Sequence, residues 1–400
     1  RGYWNRKNRM KIVLFGIYGG SGRDFNPGCF LLASNTVNAL RERIPEAEFE
    51  VIAPDKFFGD AAPATETVDG ITINFDRAQF ESCMASADGL VIGGDNLWSL
   101  PTMPVWKRFA RWILNRFDAY RLPFLLEEWD LLRKDKPVVV FNCVSSRSSE
   151  KVLMQWSRPL SRCCKRAAYV GVRDTSLDNV LRKNMGWPNV FKVPDPVLGL
   201  HPETLSPESV PPLPKSDKPI LGVALRPSWV GAFAVAFENL KSEFDRYHVC
   251  FYSYSRMHQH SAAHAALRRW ISGDVSFIDA PMTPSEAYSL TGRFDVVLND
   301  CYHGTIAAII NEKPIVPVRF RDPDISRRSQ LFDLLGVPDK SIRISDPNRP
   351  VNHNGNVENL LEQLPALLRE PLSIPAESLA RARSAVERHY DDMATALKNG

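Results

Sequence analysis

Four hundred residues exceed one ordinary domain, and a chain that is 44% hydrophobic and 24% charged has the composition of a globular protein with sizeable cores. Fifty basic residues against 46 acidic leave a net charge of +4, which makes no electrostatic case for a nucleic-acid partner. Seven cysteines, odd in number and without a C-x-x-C pair, argue against a disulfide framework or structural zinc and for a reducing, cytoplasmic setting; no apolar run approaches the eighteen or so residues that span a bilayer.

Residues 1–10 are basic and polar and end at Met10-Lys11-Ile12, which reads as a natural start, so they are expected to be an N-terminal extension. From 11 to 200, strand-like runs at Lys11–Phe15, Phe49–Ile52, Gly89–Ile92, Val138–Asn142, Tyr169–Val172 and Val190–Val193 alternate with helical stretches. Phe30–Arg43 is one such helix, and Leu177–Lys183, closed by Gly186, is another. Residues 201–219 carry six prolines and no apolar periodicity, the pattern of an extended linker. The alternation restarts between 220 and 372, with strands at Ile220–Leu225, Val249–Tyr252, Val275–Ile278, Phe294–Leu298, Ile315–Val318 and Ser341–Ile344. Residues 373–400 form an amphipathic helix with Leu379, Ala382, Val386, Tyr390 and Met393 on one stripe, a candidate to cross the hinge. Continuous apolar strands separated by helices predict an α/β fold of two doubly wound, Rossmann-like domains facing a cleft.

In such sheets ligands bind at the carboxyl ends of strands. The first junction there is glycine-rich: Gly16, Gly19, Gly20, Ser21, Gly22, then Asn26-Pro27-Gly28. Its spacing matches neither the dinucleotide fingerprint nor the P-loop. Asp95 and Asn96 follow the next buried strand and its paired glycines. Arg173-Asp174 and Asp195-Pro196 follow two more, each acid serving either substrate or a helix cap. Arg226 ends the first strand of the second domain, where a guanidinium suits a carboxylate or phosphate, or a salt bridge. His303 lies where the run 294–298 breaks through Asn299-Asp300-Cys301-Tyr302 into a helix. A titratable imidazole at a helix N-terminus is equipped for proton transfer beside an anion; the alternative is a packing histidine. His258, His260 and His264 lack the partners of a zinc motif and read as a solvated helix start, so no metal is expected. Trp106–Leu122 is a basic amphipathic helix that either packs on the sheet or lies on an anionic membrane.

Five of these features in order resemble the polysaccharide pyruvyl transferase family. They are Asn26-Pro27-Gly28-Cys29 for its N-x-G-D element, Gly93-Gly94-Asp95 for its glycine turn, Arg173-Asp174, Asp195-Pro196, and Asn299 to Gly304 for its S-R-x-H-G elbow. The resemblance covers residues 11 to about 345. It implies a GT-B-like fold and transfer of pyruvate as a ketal from phosphoenolpyruvate to a sugar or lipid-linked glycan, with no other cofactor. Cysteine usage points to a cytoplasmic setting, and the 106–122 helix alone keeps peripheral contact at the inner face of the membrane as one option. His303 would be the catalytic residue, with Arg226, Gly304, Thr305 and Arg321 on the donor. Gly19, Gly20, Asn26, Asp95, Asn96, Arg173 and Asp195 would line the acceptor side. Cys29 departs from the family's acid, and Asn299-Asp300 are read as standing for its Ser-Arg. These departures keep two alternatives open: a nucleotide-sugar glycosyltransferase on the same fold, and a non-catalytic scaffold.

Overall fold

A computed structural model of the chain describes residues 9–16, 27–52, 65–68, 71–74, 82–83, 86–94, 98, 137–146, 148–205, 210–225, 230–253, 258–280, 282–320, 327–344 and 353–400. The chain divides into two compact units. The first comprises residues 1–20, 32–196 and 385–400, and the second residues 21–31 and 197–384.

The first unit is built on β1 (Lys11–Gly16), α1 (Pro27–Arg43), β2 (Glu48–Ile52), β3 (Thr65–Val68), β4 (Ile71–Asn74), β5 (Gly89–Gly93) and β6 (Val138–Val144). It continues through α2 (Glu150–Gln155), α3 (Ser157–Arg166), β7 (Ala167–Val172), α4 (Thr175–Asp178) and β8 (Val190–Lys192). Its eight strands lie in the order β3-β4-β2-β1-β5-β6-β7-β8, parallel except where β3 meets β4. β5 and β6 are buried along their whole length because helices cover both faces, which is why they read as unbroken apolar runs. Strand order reverses between β1 and β5, where Gly16 and Gly93 are register partners. Gly16 has φ +141°, and a β-carbon there would lie 2.1 Å from the Gly93 carbonyl oxygen, so only glycine lets these two strand ends close up. The core gathers Trp98, Phe141, Trp156 and Leu160 around these strands.

A polar chain fastens residues 385–400 to this unit. Tyr169 donates to His389 Nδ1 (2.8 Å), His389 Nε2 to Asn142 Oδ1 (2.9 Å), and Asn142 Nδ2 to Thr36 Oγ1 (2.9 Å). The Thr36 hydroxyl is spent on the Leu32 carbonyl (2.6 Å), so Tyr390, at 3.2 Å, must donate to it. Every donor has an acceptor only when His389 is neutral and protonated on Nε2. Burial holds it so by pushing its pKa down to about 3.

The second unit follows as β9 (Ile220–Ala224), α5 (Val230–Asn239), α6 (Lys241–Phe244), β10 (His248–Tyr252), α7 (His258–Trp270), β11 (Val275–Ile278) and α8 (Pro284–Thr291). Then come β12 (Val296–Asn299), α9 (Tyr302–Ile310), β13 (Ile315–Phe320), α10 (Arg327–Leu334), β14 (Ile342–Ile344), α11 (His353–Arg369) and α12 (Ala376–Asn399). Its strands are all parallel, in the order β11-β10-β9-β12-β13-β14. This is the doubly wound order 3-2-1-4-5-6, whose switch point falls between β9 and β12. Phe233, Phe237, Phe244 and Phe251 pack edge-on or stacked beneath it, Phe237 and Phe244 with centroids 4.5 Å apart. Leu205 and Val210, within the proline-rich stretch, are buried, and Arg293 reaches the Val210 carbonyl. Along α12 the stripe Leu379, Ala382, Val386, Tyr390 and Met393 is buried throughout.

Candidate functional site

The switch point of the second unit carries the site. Asn299, the last residue of β12, pairs in register with Ala224 at the end of β9. The chain then passes through Asp300 and an extended Cys301 (φ −104°, ψ 136°) into α9. Asn299, Asp300, His303 and Thr305 are all buried. The first intrahelical bond of the elbow runs from the Thr305 N–H to the Cys301 carbonyl at 3.0 Å. This corrects one expectation: the Thr305 N–H is spent on its own helix. Gly304, one residue earlier, belongs to the first turn, whose N–H groups precede that bonding. Thr305 instead braces the elbow through its side chain. Its hydroxyl lies 3.0 Å from Asn299 Oδ1 and 3.1 Å from the Cys301 carbonyl. A β-carbon on Gly304 would press to 3.3 Å from Asn299 Cγ, so a larger residue there would require the asparagine side chain to give by a few tenths of an ångström. Asn299 Nδ2 is buried with no hydrogen-bond partner among the described residues.

The imidazole of His303 has a neighbour 275 residues away in sequence. A β-carbon on Gly28 would lie 2.2 Å from His303 Cγ and Cδ2 and 2.5 Å from Nδ1. Gly28 is the second residue of α1, behind Pro27, which suits a first helical position because it has no N–H to lose. The first turn of α1, in the second compact unit by contacts, therefore lies against the start of α9. Two helix N-termini, each the positive end of its dipole, meet at one imidazole. The other face of the ring is flanked by Tyr302, with centroids 5.3 Å apart at 75°.

On the first unit, the strand ends of β6, β7 and β8 collect a second cluster. Arg173 forms an ion pair with Asp195, both side chains nearly inaccessible, and its other terminal nitrogen donates to Ser145 Oγ at 3.1 Å. The two residues expected on the acceptor side are thus each other's partners. Asp174 caps α4, accepting from the Leu177 N–H (2.8 Å) and the Ser146 N–H (2.9 Å), the capping role weighed for it above. Gly19, Gly20, Asn26, Asp95, Asn96, Arg226 and Arg321 lie outside the described residues, as does the basic stretch 106–122.

Two further corrections follow. Counted back from His303, the Ser and Arg of an S-R-x-H-G elbow fall on Asp300 and Cys301, leaving Asn299 as the strand's last residue. His264 is no part of a solvated helix start: it is 2% exposed in the middle of α7, and its Nδ1 lies 2.6 Å from Asp279. Its own helix turns it onto the sheet, where burial lowers its pKa against the pull of that carboxylate.

A family model described as polysaccharide pyruvyl transferase matches residues 26–321. The chain belongs to that family. A search of curated proteins gives no match. Among solved structures, UDP-GlcNAc 2-epimerase from Neisseria meningitidis bound to UDP-GlcNAc superposes with a TM-score of 0.54 at 10% identity, covering 98% of this chain and 100% of that one. The Methanocaldococcus jannaschii UDP-GlcNAc 2-epimerase in complex with UDP-GlcNAc and UDP gives 0.53 at 12%, covering 96% and 100%. An E. coli trehalose-6-phosphate structure bound with UDP-2-fluoro glucose gives 0.51 at 12%, covering 97% and 99%. At such identities these likenesses establish the fold, which is of the GT-B type. Gly28 and His303, the residues compared above with the family's first-loop glycine and elbow histidine, are in contact in the second unit. Among the described residues no helix is long and apolar enough to cross a membrane.

Proposed function

We propose that this chain transfers a pyruvyl group from phosphoenolpyruvate to two hydroxyls of a sugar in a polysaccharide or glycolipid precursor, with no cofactor beyond that co-substrate. The observation that carries the reading is the contact of Gly28 with His303, which joins two separated family motifs around one titratable side chain. A proton delivered to the methylene carbon of phosphoenolpyruvate leaves the adjacent carbon electron-poor. One sugar hydroxyl adds there, the bond to the phosphate oxygen breaks, and a second hydroxyl closes the ketal. Two hydroxyl protons are released: one balances the new methyl group, the other leaves with inorganic phosphate.

His303 is the proposed proton donor and acceptor, a role worth typically about 10²–10⁴-fold in rate. The first turns of α1 and α9, with Gly304 among them, are proposed to favour the donor's negative charge. Arg226, which follows β9 by two residues, and Arg321, which follows β13, are the proposed grips on carboxylate and phosphate. Arg173 and Asp195, with Gly19, Gly20, Asn26, Asp95 and Asn96, are proposed for the acceptor side.

Isothermal titration with phosphoenolpyruvate, beside uridine diphosphate sugars, tests the reading on the wild-type chain and on Arg226→Ala. Phosphoenolpyruvate binding that is lost in the variant is the expected result. Binding of a uridine diphosphate sugar instead would make the chain a glycosyltransferase, and silence from both would leave a non-catalytic relative.

A further inference from the structure

We infer that the outer face of α2 and α3 is a docking surface for an anionic phospholipid bilayer. The two helices are joined through Trp156, whose N–H bonds the Leu153 carbonyl and whose carbonyl receives the Leu160 N–H. Leu153, Trp156, Leu160, Cys163 and Cys164 point inward and are buried. The opposite stripe, at spacings of three and four residues, is Lys151, Met154, Arg158, Arg162 and Lys165, and every one of the five is exposed.

The charge around this ridge is concentrated in one short stretch. Residues 150–166 hold five cations, Lys151, Arg158, Arg162, Lys165 and Arg166, and one acid, Glu150, a net of +4. The rest of the chain balances at 45 basic against 45 acidic, within which 106–122 carries a like excess of five cations over one acid. Glu150 is turned aside, accepting from Asn179 Nδ2 at 2.8 Å. Lys151, Arg158, Arg162 and Lys165 have no ion-pair partner among the described residues. On the neighbouring turn Arg182 is paired with Asp178, while Lys183 is exposed and adds to the same sign.

Charge complementarity selects an anionic partner, and the side chain between the cations selects its kind. Met154 is 42% exposed, an apolar group at the level of the charges. A cationic stripe with an apolar member suits the boundary between lipid headgroups and acyl chains. A single-stranded nucleic acid would want aromatic platforms, and this stripe has none.

The test is co-sedimentation of the full chain with vesicles of phosphatidylcholine alone and of phosphatidylcholine with about a third phosphatidylglycerol. Variants are Arg158→Glu/Arg162→Glu/Lys165→Glu, the milder triple change to Gln, and Met154→Ala, each checked for unchanged thermal unfolding. Binding is expected only to the anionic vesicles, about tenfold weaker in the charge-reversed variant, intermediate in the Gln variant, and abolished by salt near 0.5 M. No binding to anionic vesicles, or binding that the charge changes leave intact, overturns the proposal. So does equal binding to a soluble polyanion such as dextran sulfate with no effect of Met154→Ala, which would make the partner a polyanionic chain.

Discussion

At the scale of single residues, the contact of Gly28 with His303 makes a prediction that a merely flexible loop glycine would not. Gly28→Ala puts a methyl carbon 2.2 Å from His303 Cγ and Cδ2, so the ring must move. A displaced proton donor costs nearly what a missing one does. Gly28→Ala and His303→Ala should each lower pyruvyl transfer by about 10²–10⁴-fold, with phosphoenolpyruvate binding retained. The double variant should be little worse than either alone, because both remove the same function. Additive losses in steady-state kinetics would separate the two residues and sink the shared role. His389 carries a second prediction, on stability. Its pKa is near 3 in the folded chain because burial penalises the imidazolium, against about 6.5 for an exposed histidine. Between those values unfolding takes up a proton, so this residue lowers stability as pH falls below about 6.5. The slope approaches ~1.4 kcal/mol per pH unit, and above 6.5 the contribution is flat. Denaturant unfolding at pH 7.5 and 5.5 measures it; His389→Gln should unfold more easily at neutral pH and show a shallower acid limb.

At the scale of elements, α9 depends on its brace. Thr305→Val keeps the shape and removes the hydroxyl that lies between Asn299 and the Cys301 carbonyl. It leaves polar groups of a buried asparagine without that partner, a loss of about 1–3 kcal/mol in urea unfolding. An unchanged midpoint would show that the elbow is held by strand pairing alone. How far such elements can be read from residues depends on how local their cause is. The interior strands were legible because burial on both faces leaves an unbroken apolar run: β5, expected over Gly89–Ile92, runs Gly89–Gly93 with every residue buried. The antiparallel pair β3–β4 was not legible, because four-residue strands are too short for an alternating pattern to stand out. His303 was found because its strand–elbow–helix pattern is local. Its contact with Gly28 was not, since nothing within either segment encodes a neighbour 275 residues distant. Arg173 and Asp195 were recognised as residues at strand ends, but sequence could not say that they would neutralise one another.

At the scale of the whole molecule, each unit has its own aromatic and aliphatic core, yet neither is a continuous stretch of chain. α1 contributes residues 27–31 to the second unit and 32–43 to the first, and α12 contributes 376–384 and 385–399 in the same way. The donor groups proposed for phosphoenolpyruvate lie in the second unit, so a ligand bound there stabilises that unit directly. At a hundred times its dissociation constant, the gain is about 2.7 kcal/mol. Unfolding either unit breaks both helices in mid-course, and helices lose their cooperativity when cut short. Calorimetry should therefore show one transition, raised as a whole by phosphoenolpyruvate and left in place by it in Arg226→Ala. Two transitions, of which the ligand moves one, would mean that each helix frays at its crossing point without cost to the other unit. In that case removing residues 385–400 should unfold the first unit, by uncovering Asn142 and the Tyr169 hydroxyl, and leave phosphoenolpyruvate binding unchanged.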